Sequence, residues 1–210
     1  MHISEGVLSA APLAVGWAVA GAGTVLGLRH IRPERVVKTA LISSAFFLSS
    51  LIHINLGAAS THLTLIAPMG LVLGAQVFPA VLTALILQAL LFHFGGLLVL
   101  GANTTIMAGA ALLTWLFFAR PLRRAGGRWA FAWGFAAGAF GALLGAFFVG
   151  LFLWSTDAGF LPGAKVLFAA HLPLALAEGV VTACLVSLFR RVAPDFLAGQ
   201  PVVQEAAHDR

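Results

Sequence analysis

The sequence predicts an all-α integral membrane protein, a bundle of about seven transmembrane helices with the N-terminus outside and the C-terminus in the cytoplasm. Two observations indicate the class: 60% of the 210 residues are hydrophobic and 9% are charged, and the mean hydropathy is +1.01. A chain of this composition belongs in a lipid bilayer rather than in water. The grouping of the basic residues sets the expected topology.

Nearly all Lys and Arg residues fall in two clusters and a tail, within 29–38, 120–128 and 190–210. The positive-inside tendency places all three groups in the cytoplasm. The net charge of +5 is therefore a topology signal, and no nucleic-acid partner is predicted.

The predicted crossings are spread over three apolar stretches. A spanning helix takes about 20 residues. Residues 7–28 therefore hold one crossing, residues 39–119 hold four, and residues 129–189 hold two. The third crossing, roughly 63–76, is short and contains Pro68 and two glycines, so it is expected to be broken or only partly helical. The alternative is six crossings with 57–76 re-entrant. One transmembrane domain, 1–193, and a polar cytoplasmic tail, 194–210, are predicted.

Small residues recur at helical spacing in the first and sixth predicted spans. They are Ala10, Ala14, Ala18 and Ala22, then Gly134, Gly138, Gly141 and Gly145. Small side chains let helices approach closely in a membrane. Both stripes are predicted to pack inside the bundle rather than to dock another subunit.

The first two residues, Met1 and His2, offer three nitrogen donors to one cation. The α-amine, the His2 amide nitrogen and the His2 ring nitrogen can close chelate rings in one plane. Planar nitrogen donors suit Ni(II) or Cu(II), and deprotonation of an amide favours late metals over Mg(II) or Ca(II). No basic leader region precedes these residues, so the N-terminus is expected to be mature. An untethered terminal histidine is the simpler alternative.

His62 is the predicted fourth donor. It lies in a loop, 57–64, on the same predicted side as the N-terminus, where its ring would complete a square plane. His53 and His93 map to this side as well, either as residues that orient the ligands or line the entrance, or as interfacial hydrogen-bonding residues. Glu5 is expected to hydrogen-bond the folded N-terminal loop.

His171 and Glu178 are ionisable residues inside the last predicted span. They stand two turns apart on one helical face, and ionisable groups within a span are costly and usually face the bundle interior. A paired structural role and a role on an ion path are both open. Cys184 is the lone cysteine, which excludes an intramolecular disulfide and a cysteine metal cluster.

Common catalytic motifs are absent from the sequence. It has no Gly-x-x-x-x-Gly-Lys-Ser/Thr phosphate loop, no His-Glu-x-x-His zinc motif and no Gly-x-Ser-x-Gly elbow. ATP hydrolysis through a phosphate loop is therefore excluded. Two alternatives to metal capture stay open. One is an intramembrane metalloenzyme or hydrolase that uses the outer-face histidines, and the other is a channel or structural membrane protein.

Four motifs occur in order along nearly the whole chain. They are the start Met-His-Ile-Ser-Glu-Gly, the loop Ser60-Thr61-His62-Leu63-Thr64, the stretch 88–103 with its Gly-Ala-Asn ending and Met107, and the segment 171–179. Together they resemble the CbiM/NikM family, the substrate-binding membrane components of energy-coupling-factor cobalt and nickel transporters. Family members usually carry glycine where this chain has Leu65.

The resemblance implies a seven-span protein of the bacterial or archaeal cytoplasmic membrane. It implies capture of Co(II) or Ni(II) through Met1, His2 and His62, with Thr61 beside the ligand and Asn103 holding the metal loop. The implied partners, besides membrane lipid, are a transmembrane coupling component, ATPase subunits and a small accessory membrane protein. Neither an organic cofactor nor catalytic activity is expected.

Overall fold

The computed structural model describes residues 3–51, 53–56 and 59–197. Of the two strands within 53–62, and of Asp195, it describes the backbone alone. The α-helices within the described residues are α1 Ala10–Arg29, α2 Pro33–Leu51, α3 Ile66–Leu73, α4 Val77–Phe92, α5 Leu100–Arg124, α6 Gly127–Thr156 and α7 Leu161–Val192. Short 3₁₀ turns lie at Gly74–Gln76, Ala158–Phe160 and Pro194–Phe196.

Five helical segments are long and apolar enough to cross a membrane. They are 10–29, 66–92, 100–124, 127–156 and 158–192. The 19-residue α2 is a sixth long helix, and its N-terminal half carries the charges of Glu34, Arg35 and Lys38. The predicted helical membrane class is confirmed, with five to six candidate spans.

The third predicted crossing is much shorter in the structure than a full span. α3 has eight residues, which is about 12 Å of helix, whereas a bilayer core is about 30 Å thick. The helix ends at Leu73, and a 3₁₀ turn that begins at Gly74, whose φ is +55°, leads into α4. Residues 66–92 are therefore one apolar segment with an internal break.

One element was not expected from the sequence, a two-stranded antiparallel hairpin of β1, His53–Leu56, and β2, Ala59–His62. Strands of four residues carry too little alternation of apolar and polar residues to be recognised. The predicted loop 57–64 is therefore partly strand. In the backbone register His53 pairs with His62.

Hydrogen bonds between distant segments define two ends of the bundle. At the first, named here the Glu5 end, the Ser9 N–H donates to Thr156 Oγ1 at 3.4 Å. At the other, the basic end, Gln76 Nε2 donates to the His30 carbonyl at 2.6 Å. The basic end carries the described Lys and Arg residues of three segments, 29–38, 120–128 and 190–191.

The start of the predicted C-terminal tail packs on the helices. Lys38 Nζ donates to the Phe196 carbonyl at 3.0 Å and lies 4.9 Å from the centroid of its ring. The Phe189 and Phe196 rings are 5.3 Å apart. Residues 194–197 therefore contact α2 and α7, and the boundary at residue 193 stays a prediction.

The glycine stripe of α6 packs inside the bundle, as predicted. All four of its glycines are buried. A Cβ atom on Gly138 would lie 2.4 Å from the Glu178 carbonyl oxygen, and one on Gly134 would lie 2.9 Å from the Ala183 Cα. Only glycine permits this approach of α6 to α7.

The prediction for the alanine stripe of α1 is wrong. Its four alanines are exposed, and the residues that α1 buries are Pro12, Gly16, Ala20 and Gly27. Glycine allows a still closer approach than alanine: a Cβ on Gly16 would lie 2.6 Å from the Ala102 Cα of α5. The glycine face of α1 therefore takes the packing position.

Gly138→Ala is expected to lower the free energy of unfolding by about 1–3 kcal/mol, because the added methyl group overpacks the interface of α6 and α7. The matched control is Gly21→Ala, where a Cβ would meet nothing within 4 Å. Thermal unfolding of both variants in detergent measures the difference. Equal stability of the Gly138 variant and the parent would contradict the tight contact.

Candidate metal-binding site

Part of the predicted ligand set lies outside the description. Met1 and His2 are not among the described residues, and Thr61 and His62 are described by their backbone, at the end of β2. Among the described residues, no group of three or more His, Cys, Asp or Glu could hold a metal ion. The structure does describe how the chain is held beside each predicted ligand.

Asn103 holds the backbone of Ile3, the residue that follows His2. The Ile3 N–H donates to Asn103 Oδ1 at 2.9 Å, and Asn103 Nδ2 donates to the Ile3 carbonyl at 3.0 Å. Asn103 is 2% exposed and Ile3 is 4% exposed. Such a two-point bond satisfies both main-chain groups of Ile3 away from water, and it fixes the position from which the first two residues extend.

Glu5 anchors the same segment to the loop before α5. Its N–H donates to the Gly95 carbonyl at 3.1 Å, and its Oε1 accepts from the Leu98 N–H at 2.8 Å. Gly96, at φ +125°, has no room for a side chain, because a Cβ there would lie 2.2 Å from Glu5 Cγ. Glu5 therefore ties the N-terminal segment to the loop before α5 through hydrogen bonds.

Glu178 holds the backbone just after His62. Its Oε1 accepts from both the N–H and the hydroxyl of Thr64, the latter at 2.8 Å, and from the Leu65 N–H at 3.3 Å. Glu178 lies near the middle of α7 and is 1% exposed. Ser49 Oγ adds a 3.4 Å bond to the Leu63 carbonyl. The connection from β2 to α3 is thus fixed at three consecutive residues.

Leu65 has an unusual backbone conformation. Its φ is +48°, in the left-handed region that glycine enters freely and that bulky residues rarely adopt. A residue in this conformation persists only where its surroundings hold it. Here Glu178 accepts the Leu65 N–H, and α3 begins at the next residue.

The two held segments border one apolar core. Ile3 and Leu8 from the N-terminal segment and Ile66 from the start of α3 belong to the same cluster of buried residues, together with Ile106 and Met107 of α5. The residues that follow His2 and His62 are therefore anchored on a common core, although they are far apart in sequence.

The other histidines have different surroundings. His93 is exposed and ends α4 in a left-handed conformation, φ +58°. His171 Nδ1 bonds the Leu167 carbonyl of its own helix at 2.8 Å. Since Glu178 bonds the Thr64 and Leu65 segment, the described hydrogen bonds give His171 and Glu178 different partners.

Gln88 is a polar residue of the interior that the sequence analysis did not single out. It is 0% exposed, its Nε2 donates to Ser50 Oγ at 2.6 Å, and its Oε1 has no hydrogen-bond partner. The available signal was its position within a highly apolar segment, since a buried amide is costly unless it is bonded. Its hydrogen-bond partner, Ser50, lies on another helix and so could not be predicted from the sequence around Gln88.

This arrangement is that of a polytopic membrane protein whose candidate site is formed by chain segments held against a helix bundle. The family model described as "Cobalt uptake substrate-specific transmembrane region", CbiM, matches residues 2–196. The chain belongs to this family.

Similar proteins agree with this membership. A "Putative metal transport protein" of Haemophilus influenzae is 36% identical over 94% of this chain and 97% of its own length. A "Cobalt transport protein CbiM" of Geobacter sulfurreducens is 32% identical over 97% of this chain, which spans 63% of that relative. The crystal structure of a truncated transition metal transporter has a TM-score of 0.70 and 26% identity, covering 91% of this chain and 99% of its own.

The class of function follows from the family. The chain is a substrate-specific component of a cobalt or nickel uptake transporter, a multi-pass membrane protein of a kind found in bacteria and archaea. It is not an enzyme. A metal ion is therefore the transported substrate, and the family implies partner subunits of an energy-coupling-factor transporter.

Asn103→Leu is expected to free the N-terminal segment, because the variant loses both hydrogen bonds to Ile3 while keeping a side chain of similar size. Amide hydrogen exchange of the peptide that contains Ile3 should become faster. Gln76→Leu is the matched control, a buried amide at the basic end that bonds the His30 carbonyl. Unchanged exchange at Ile3 in the Asn103 variant would contradict the anchoring role.

Proposed function

We propose that the chain captures Co(II) or Ni(II) at its outer face as the substrate-specific component of an ATP-driven importer. The ligands would be the Met1 α-amine, the His2 amide and ring nitrogens and the His62 ring nitrogen. One observation carries this proposal: buried side chains hold the backbone at Ile3, one residue after His2, and at Thr64, two residues after His62.

The chemistry of this donor set favours late divalent metals. Three donors come from one chain terminus and form fused chelate rings, and nitrogen donors in a plane suit Ni(II), while imidazole also suits Co(II). Anchoring reduces the conformational freedom that binding would otherwise remove, so it favours affinity. Asn103 and Glu5 would support the terminal donors, and Thr61, His53 and His93 are proposed to lie around the fourth.

The distribution of charge supports an outward-facing site. The basic end carries most of the described cationic residues and is assigned to the cytoplasm by the positive-inside tendency, which leaves the Glu5 end outside. The broken segment would complete seven passes, since α3 begins beside Glu178 in the bundle interior and the following turn reaches His30 at the basic end. The N-terminus would then be outside and the C-terminus in the cytoplasm.

The energy for import would come from partner subunits. The chain has no phosphate-loop motif, so it would bind metal and rely on ATPase subunits and a transmembrane coupling component, with a small accessory membrane protein as a further partner. Conformational change driven by these partners would release the metal inward.

An N-terminal extension is expected to lower the affinity for Ni(II) or Co(II) by more than about 100-fold, because it converts the α-amine into a peptide nitrogen. His2→Ala and His62→Ala should have comparable effects, since losing a ligand should cost more than the 10–100-fold typical of residues outside the first coordination shell. Calorimetry on purified protein with a free N-terminus measures these changes.

The control for these variants is His30→Ala, which changes an exposed histidine at the basic end whose ring bonds the Leu26 carbonyl of its own helix. It should bind metal as the parent does. Normal binding by the extended protein would contradict the terminal chelate.

Reconstitution in proteoliposomes separates the importer from a channel. The purified chain alone should bind metal stoichiometrically without accumulating it, whereas addition of the coupling and ATPase subunits should give ATP-dependent uptake. Passive flux of metal through the chain alone would favour a channel and contradict the proposal. A vesicle with the ATPase subunits inactivated is the matched control.

A further inference from the structure

We infer that Glu178 is the positioning residue for the metal-binding loop, and that it controls metal affinity through the backbone of Thr64 and Leu65. This inference rests on the proposed role of His62 as a ligand. Glu178 does not bind the metal in this scheme; it fixes the connection through which His62 is presented.

Glu178 accepts several hydrogen bonds from one short segment of the chain. A single carboxylate oxygen accepts three donors, two from Thr64 and one from Leu65, in a residue that is 1% exposed. Bonds from a carboxylate to N–H groups are stronger than neutral ones. The loop is therefore tied to the middle of the long helix α7 rather than to a mobile surface.

The segment needs this acceptor because of the way α3 starts. The first N–H groups of a helix have no partner within it, and leucine at the N-cap position, Leu65, has no side-chain acceptor to offer. Inside a membrane protein there is little water to replace one. Glu178, which is 114 positions from Thr64 along the chain, supplies an acceptor for the N–H groups of Thr64 and Leu65, the two residues directly before α3.

The same contact selects the conformation of Leu65. The left-handed Leu65 lies between β2 and α3, and among the described residues Glu178 is the acceptor that holds its N–H in place. Loss of Glu178 should therefore allow the 63–65 connection to relax, which would move His62 out of the plane set by the terminal donors.

Close packing against α6 also fixes the part of α7 that carries Glu178. Gly138 of α6 faces the Glu178 carbonyl, with space for no Cβ, and Gly179 lies against the Phe135 ring, where a Cβ would be 2.8 Å from it. The position of the carboxylate is thus set by backbone packing of α6 on α7. A fixed anchor of this kind is what a positioning role requires.

The test compares Ni(II) affinity in a double-mutant cycle of Glu178→Ala and His62→Ala. Glu178→Ala is expected to weaken binding by about 10–100-fold, the range found for residues that orient metal ligands. In the His62→Ala background the same change should have almost no further effect, because its route to the metal is already lost. The absorption spectrum of bound Ni(II) should also lose its planar four-nitrogen character in Glu178→Ala.

Two variants keep the test decisive. Glu178→Gln preserves shape and an acceptor oxygen but removes the charge, so it should bind more tightly than Glu178→Ala and replaces it in the cycle should the alanine variant not fold. Thr182→Val is the matched control, one turn along α7, where a buried hydroxyl without a hydrogen-bond partner is replaced by a methyl group. It should leave the affinity unchanged.

The outcomes separate the inference from the proposed function. If the parent binds Ni(II) and His62→Ala weakens it, but the Glu178 change has no effect or is fully additive with His62→Ala, Glu178 is merely structural and the inference fails. If the parent does not bind, or His62→Ala binds normally, the proposed ligand set fails instead.

Discussion

A buried carboxyl group accepts the N–H groups of Thr64 and Leu65, the two residues that directly precede the eight-residue helix α3 in the interior of the bundle. Glu178 does so from near the middle of α7, and it also holds Leu65 in a left-handed conformation. Unpaired main-chain groups at this depth would each cost about 1–3 kcal/mol. The proposed site depends on these hydrogen bonds, because they hold the backbone of Thr64 and Leu65 close to His62.

Asn103 holds the N-terminal segment in a similar way, through two hydrogen bonds to the backbone of Ile3. Both anchors use a side chain from a long helix to bind the backbone of a segment beside a proposed ligand. The ligand residues can therefore belong to short connections while their positions are set by rigid helices. Gly16 lets α1 pack closely on α5, which carries Asn103, and Gly138 lets α6 pack closely on α7, which carries Glu178.

The sequence predicts the broad architecture because its signals are local. Apolar stretches and basic clusters mark the helices and the basic end, and the interruption near Gly74 is visible as a short span with Pro68 and glycine. The alanine stripe of α1 misleads because glycine at Gly16 and Gly27 permits a closer contact than alanine does. The four-residue strands are too short to show a pattern, so the pairing of His53 with His62 appears only in the fold.

The site is less accessible to sequence reasoning for a physical reason. Glu178 is recognisable as a costly charge within a span, but its partners lie more than one hundred positions away, and nothing local identifies them. The helical spacing of Glu178 and His171 leaves a paired structural role and an ion-path role both open, and in the structure each residue bonds a different segment. Asn103 was expected to hold the metal loop through family resemblance alone, whereas the structure shows it bonding the backbone of Ile3 in the N-terminal segment.

The most direct measurement is the nickel K-edge X-ray absorption spectrum of the protein with a free N-terminus and one equivalent of Ni(II). The proposed ligands predict a planar, four-coordinate shell of nitrogen donors that includes imidazole. A six-coordinate shell dominated by oxygen would contradict capture of the metal by the chain terminus and His62.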